Sequence, residues 1–314
     1  MNAIAQILEH QRCVVLDGAL ATELEARGCD LNDPLWSARV LLESPELIRA
    51  VHHDYFAAGA DCATSASYQA TFAGFEQRGI GQARAAELMR LSVSLALEAR
   101  DAFWADSSNQ ARHCKPFVAA SVGPYGAFLA DGSEYRGDYG LSKKQLEEFH
   151  RPRMAVLAGS GADLLAFETI PSLLEARALV AVLEEFPAMS AWLSFSAKNA
   201  AQICTDETLK ECASVFAGHP QIAAIGVNCT APEFVADLLG SARCVTSTPL
   251  LAYPNSGEHY DPITKQWAGE DTCTDFVTQA KSWLEGGASV IGGCCRTGPQ
   301  HIAQLRRELL DPKG

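Results

Sequence analysis

The stretch Ala288-Ser289-Val290-Ile291-Gly292-Gly293-Cys294-Cys295-Arg296-Thr297-Gly298-Pro299 decides how the chain is read. It opens as a short apolar run with two β-branched residues, a strand signal. It closes on Gly298-Pro299, a turn that opens a helix. Two adjacent cysteines between them are a poor packing choice, because neighbouring side chains on a strand point to opposite faces. Both thiols can serve one site only if the backbone leaves the strand there, and paired glycines make that bend cheap. A third thiol follows another apolar run, Ala224-Ile225-Gly226-Val227-Asn228-Cys229. Three thiolates with an open fourth position describe a catalytic zinc rather than a closed structural one.

The strand-then-helix unit around this stretch recurs along the chain. Eight strand-like runs are predicted at Cys13–Asp17, Ala60–Ser65, Phe117–Val122, Asp163–Glu168, Ala191–Ala197, Ala224–Cys229, Leu250–Tyr253 and Ala288–Gly293. Helical patterns are predicted at Pro45–Ala58, Gln82–Ala105, Lys143–Ala158, Leu173–Glu185, Thr208–Ala217, Pro232–Leu239, Asp275–Glu285 and Gln300–Leu310. Ser44-Pro45, Ser142 and Ala231-Pro232 supply start signals, and Gly59, Gly159 and Gly218 supply stops. Eight such units predict a single (β/α)8 TIM barrel, with a doubly wound sheet as the alternative. No linker or charge block divides the chain, so residues 1–314 read as one domain.

Bulk composition narrows the function classes. The 314 residues carry 25 basic and 38 acidic side chains, a net charge of -13, which argues against a nucleic-acid partner. No stretch approaches the ~18 apolar residues of a membrane span, and Met1 to Arg12 has no signal-peptide core. A cytoplasmic enzyme is the expectation. Eleven cysteines form no disulfide framework, so reduced thiols are expected.

On a barrel, chemistry collects at the C-terminal strand ends. Those ends carry Asp17-Gly18, Thr64 through Tyr68, Gly123 through Gly126, Glu168-Thr169, Asn228-Cys229, Tyr253 through Gly257 and Cys294-Cys295. Packing is the plain reading of any one buried cysteine; three on two strand ends favour a metal, and thiolate-rich ligation selects zinc (Zn2+). A strained Cys294–Cys295 disulfide is the competing reading, disfavoured in reducing cytosol. Cys62 sits inside a strand, and Cys212 and Cys273 lie in or near helices, so these read as structural. Asp17 and Glu168 each follow a strongly apolar run, so both are expected to be partly buried and to need partners. A substrate ammonium or a general acid/base role would supply one. Lys198 is a Schiff-base candidate at a strand end, His259 and Glu258 have no assignable role, and His52-His53 lacks metalloprotease spacing. A thiolate metal sensor and a barrel lyase using Lys198 stay open as alternatives.

At this point the chain resembles the homocysteine S-methyltransferase family, and within it the branch that uses S-methylmethionine. The resemblance is carried by Leu16-Asp17-Gly18-Ala19, Thr64-Ser65-Ala66-Ser67-Tyr68-Gln69-Ala70 and Ala120-Ser121-Val122-Gly123-Pro124-Tyr125-Gly126. It continues through Ala130-Asp131-Gly132-Ser133-Glu134-Tyr135-Arg136-Gly137, Phe167-Glu168-Thr169-Ile170-Pro171, Gly226-Val227-Asn228-Cys229-Thr230, Tyr253-Pro254-Asn255-Ser256-Gly257-Glu258 and Gly292-Gly293-Cys294-Cys295-Arg296. The resemblance implies a (β/α)8 barrel with zinc on Cys229, Cys294 and Cys295. It implies methyl transfer from S-methylmethionine or S-adenosylmethionine to homocysteine, yielding methionine. Asp17 and Glu168 would hold the homocysteine ammonium, and backbone around Gly18 and Thr64 its carboxylate. Asn228 and Tyr68 would lie close by.

Overall fold

The computed structural model describes residues 1–31, 36–256, 259–261, 266–268 and 276–310, with the backbone alone at 36–38, 259–261 and 266–268. Among the described residues, ten strands appear: β1 Val14–Val15, β2 Cys62–Thr64, β3 Phe117–Val122, β4 Leu164–Ile170, β5 Ala191–Phe195, β6 Ile222–Asn228, β7 Leu250–Tyr253, β8 His259–Asp261, β9 Gln266–Ala268 and β10 Ala288–Ile291. Eight of them form one sheet in the order β1-β10-β7-β6-β5-β4-β3-β2, while β8 and β9 pair as a separate antiparallel hairpin. Every pair within the large sheet is parallel. A parallel bridge between Leu16 and Cys62, with Asp17 N donating to Cys62 O at 3.1 Å, joins its two edges. The result is a (β/α)8 barrel, so the doubly wound alternative falls away.

Alternation along each strand divides the core in two, as side chains on a pleated strand must. Val14, Leu16, Cys62, Phe117, Ala119, Leu164, Ala166, Trp192, Ala224, Leu251 and Val290 share the cluster inside the barrel. Their neighbours Val15, Val118, Ala120, Leu165, Phe167, Leu193, Ile225 and Ile291 pack outward under the helices. The predicted helices are present with ends shifted by a few residues: Pro45–Ala57, Gln82–Trp104, Lys143–Ala158, Leu173–Leu183, Leu209–Val215, Pro232–Arg243, Phe276–Glu285 and Pro299–Leu309. Local chemistry sets their starts. Ser142 and Gln145 form a capping box, as do Thr208 and Glu211, and Pro stands in the first turn after Ser44 and Ala231. Asp275 and Cys273 lie outside the described residues.

Six short helices were not legible beforehand: Ala3–Leu8, Leu20–Ala26, Trp36–Glu43, Phe72–Glu76, Ser107–Gln110 and Tyr125–Leu129. Each is about two turns or less, too short to form on propensity alone, so tertiary packing is what holds it. The first of them closes the N-terminal mouth of the barrel. Its Ile4 and Ile7 are buried in the interior cluster beside Val14 and Phe117. Beneath it, Asp61 accepts from Val15 N at 2.9 Å and pairs with Arg306 at 2.7 Å. That end is thus sealed by structure, which leaves the opposite rim for chemistry.

Candidate active site

The inward parity of the strands continues past their apolar centres and delivers polar side chains to the C-terminal mouth. Thr64 follows Cys62, Ser121 follows Ala119, Glu168 follows Ala166, Asn228 follows Ala224 and Gly226, and Tyr253 follows Leu251. Cys229 has the wrong parity for this mouth. Its backbone corrects that by adopting φ 47, a left-handed conformation that a non-glycine residue rarely takes. Cys294 and Cys295 stand beyond the end of β10, where the chain has left the sheet. Cys294 N donates to Pro254 O at 2.8 Å, and Thr297 Oγ1 closes a turn on Cys294 O at 2.6 Å. The turn brings Thr297 so close to Gly293 that a Cβ there would collide with its side chain.

The three thiols consequently meet. Cys229 Sγ lies 2.9 Å from Cys294 Sγ and 3.7 Å from Cys295 Sγ, and all three sulfurs fall within 4.8 Å of one another. Hydrogen bonds from Cys294 and Cys295 pull the Cys229 thiol well below its usual range. Asn228 Nδ2 stands 4.0 Å from Cys294 Sγ, and Tyr135 Oη stands 3.6 Å from Cys229 Sγ. Asn228 is itself locked to Thr169, accepting from its N–H at 2.7 Å and donating to its hydroxyl at 2.8 Å.

The two acids are buried and partnered. Asp17, 6% exposed, accepts from Thr64 N at 2.7 Å and Thr64 Oγ1 at 3.0 Å. Burial pushes its carboxyl up to about 8; the Thr64 hydrogen bonds oppose that rise, and the nearby Glu168 charge adds to it. Glu168 accepts from the Ser121 hydroxyl and from Tyr253 Oη at 3.2 Å, and Tyr253 Oη in turn accepts from Trp192 Nε1 at 3.0 Å. Burial raises the Glu168 carboxyl to about 7, against the lowering effect of Ser121 and Tyr253. Two acids poised near neutrality beside a thiolate cluster can receive a cation.

The chain is similar to known proteins over nearly its whole length. The sequence profile described as homocysteine S-methyltransferase matches residues 14–309. The chain belongs to the homocysteine S-methyltransferase family. It is 54% identical over 305 residues to homocysteine S-methyltransferase YbgG of Bacillus subtilis (strain 168), covering 97% of each chain. It is 48% identical over 307 residues to a selenocysteine Se-methyltransferase of Brassica oleracea var. italica, covering 94% of this chain and 88% of that one. Among solved structures, the metallated form of homocysteine methyltransferase MmuM from Escherichia coli superposes with a TM-score of 0.88 at 46% identity. The match covers 97% of this chain and 99% of that one.

The donor set suits a thiophilic metal. Thiolates about 2.3 Å from a tetrahedral zinc stand about 3.8 Å apart, close to the 3.7 Å between Cys229 and Cys295. Cys229 and Cys294, at 2.9 Å, would have to separate by roughly 1 Å to reach that spacing. The other expected residues have these surroundings. The Thr64 N–H is committed to Asp17 rather than open to a substrate carboxylate. Lys198 pairs with Asp206. Glu258 and the His259 side chain lie outside the described residues. Tyr68 is at the rim, its backbone O accepting from Gly123 N at 3.2 Å. Gly18 packs against Thr297, where a Cβ would fall 2.5 Å from the Thr297 carbonyl oxygen.

Ser121, Tyr253, Thr169, Glu134 and Tyr135 lie within the stretches that carry the resemblance, but no individual role was legible for them there. Ser121 carried a signal, as the polar residue in the apolar strand Phe117-Val118-Ala119-Ala120-Ser121-Val122, where a buried hydroxyl needs a partner.

Proposed function

We propose that this chain, residues 1–314 acting as one barrel domain, is a zinc-dependent enzyme that moves a methyl group from S-methylmethionine to homocysteine and forms methionine. The observation that carries this reading is the meeting of three thiols with two buried, near-neutral carboxyls on one barrel rim. Cys229, Cys294 and Cys295 are the proposed zinc ligands. The chemistry a bound zinc supplies is to keep a substrate thiol deprotonated at neutral pH.

The protein's own residues supply the rest. Asp17 and Glu168 bind the homocysteine ammonium, shedding their protons as the cation arrives. Thr64 holds Asp17 in place, and Ser121 and Tyr253 do the same for Glu168. Gly18 and Tyr68 border the bound amino acid, and Asn228, braced by Thr169, steadies the Cys294 end of the cluster. The reaction forms a carbon–sulfur bond at homocysteine and breaks one at the donor sulfonium. The bonding pair returns to the donor sulfur, which leaves as a neutral thioether. No proton has to be delivered to that leaving group, so alignment and exclusion of water are the main tasks. Thiol ligands must also stay reduced, which suits a cytoplasmic setting.

The test is kcat/KM for S-methylmethionine, S-adenosylmethionine and betaine, with homocysteine saturating and zinc loaded. S-methylmethionine is expected to lead. S-adenosylmethionine poses the same electronic problem with a bulkier group, so it should be slower. Betaine departs as an amine and calls for an aromatic cage, so it should be slowest. Betaine outrunning both sulfonium donors would overturn the donor assignment, and activity unchanged after zinc is stripped would overturn the metal.

A further inference from the structure

Glu134 differs from the other two rim acids in its hydrogen bonding. Asp17 and Glu168 are hydrogen-bonded through both carboxylate oxygens. Glu134 Oε2 is buried and has no hydrogen-bond partner. A carboxylate oxygen buried without a partner is costly, so a protein that retains one needs a reason. Burial holds this carboxyl up at about 7, and the Cys229 charge pushes in the same direction.

The loop that carries Glu134 is built to hold it there. Ala130, Gly132 and Gly137 all adopt positive φ, at 54, 80 and 74. Asp131 Oδ1 accepts from Ser133 N at 2.9 Å and from the Ser133 hydroxyl, and Arg136 Nη2 donates to Ser133 Oγ at 2.8 Å. The single 3-10 turn Ser133–Tyr135 then presses on the helix Tyr125–Leu129, where Gly126 leaves no room for a Cβ against Glu134 N. From the far side, Ser196 Oγ donates to Glu134 O at 3.4 Å. This turn brings Tyr135, the residue after Glu134, onto the thiols. Tyr135 Oη reaches Cys229 Sγ at 3.6 Å, and Glu134 exerts the strongest charge effect on the Tyr68 phenol. A carboxylate next in sequence to a phenol that reaches the cysteine cluster is a receptor for a cation.

We propose that Glu134 is the anionic contact of the methyl donor, its carboxylate pairing with the donor's positive charge while Tyr68 and Tyr135 wall the same pocket. This rests on the functional reading above, in which Asp17 and Glu168 serve the acceptor and leave the donor's charge unanswered. A donor held from the Tyr135 side lies over Cys229, where its methyl group can line up with the acceptor sulfur.

The experiment measures both KM values in zinc-loaded wild type and in Glu134→Gln, which keeps the shape and removes the charge. Loss of a charge-assisted contact should raise the donor KM by about tenfold or more. The homocysteine KM, zinc content and circular dichroism should stay within about twofold of wild type, and Glu134→Ala should show the same split. A sulfonium analogue of the donor lacking its ammonium locates the contact. If the Gln penalty persists with it, Glu134 faces the sulfonium; if the penalty vanishes, it faces the ammonium. A donor KM unchanged in Glu134→Gln, or both KM values raised alike, overturns the proposal. Should wild type prefer betaine, the donor reading fails on its own. The comparison then uses betaine, also a cation, and the same split is expected.

Discussion

On the proposed function, replacing Asp17 by Asn separates its part in homocysteine binding from its effect on the fold. The carboxylate is 6% exposed and touches Thr64 through both oxygens. Asn keeps both contacts, its oxygen accepting from Thr64 N and its amide donating to the hydroxyl. Only the charge is lost. A charge-assisted hydrogen bond to the homocysteine ammonium contributes about 1.5–3 kcal/mol, so the homocysteine KM should rise about 10- to 150-fold. The free protein should respond in the opposite sense. With the folded carboxyl raised to about 8 from 3.8, the native state binds more protons than the unfolded chain between those pH values. Wild-type stability therefore falls as pH climbs from about 4 to about 8, and at pH 7 the penalty is capped at about 4 kcal/mol. The Asp17→Asn protein carries no such penalty, so the substrate-free variant should be the more stable protein at pH 7 and above. The assay is urea unfolding at pH 5 and pH 8 beside steady-state kinetics with homocysteine and with 4-mercaptobutanoate, which lacks the ammonium. Wild type should discriminate between the two thiols, and Asp17→Asn should largely lose that discrimination. An equal rise in KM for both thiols in the variant would refute the ammonium contact.

Two further outcomes follow from the same geometry. Cys294→Ala should abolish stoichiometric zinc binding, because it leaves two protein thiolates, while circular dichroism stays near wild type since the site is an open one; full zinc occupancy in that variant, measured by elemental analysis, would remove the assignment. His52, fully buried with neither ring nitrogen hydrogen-bonded, has its protonation held down to about 4 from 6.5 by burial. Its depressed value means that stability is present above about pH 6.5 and lost as pH falls toward 4, by about 2 kcal/mol at pH 5. His52→Phe should lessen that acid sensitivity in urea unfolding, and an unchanged pH slope would show that the loss arises elsewhere.

Much of this protein was determined by the sequence read locally. Apolar runs such as Phe117–Val122 and Leu250–Tyr253 became strands with the predicted ends, and Lys143–Ala158 became a helix with its capping box at Ser142. These signals are local because strand alternation, helix periodicity and caps depend on neighbours a few residues away. The rim was legible for the same reason: acids, amides and thiols stand at the ends of strand-like runs, and a barrel gathers such ends at one mouth. What the tertiary structure alone decided is how those residues are partnered. Glu168 is held by Ser121, 47 positions before it, and by Tyr253, 85 positions after it, and no local pattern relates residues so far apart. Cys229 joins the cysteine pair only through a left-handed backbone at a strand end, a conformation that its side chain does not advertise. The helix Ala3–Leu8 and the turn Ser133–Tyr135 are too short to persist alone, so each exists because a finished barrel offers a surface to press against. Glu134 follows from that dependence: its stretch was legible as part of the resemblance, but the burial of its Oε2 without a partner is a property of the assembled mouth.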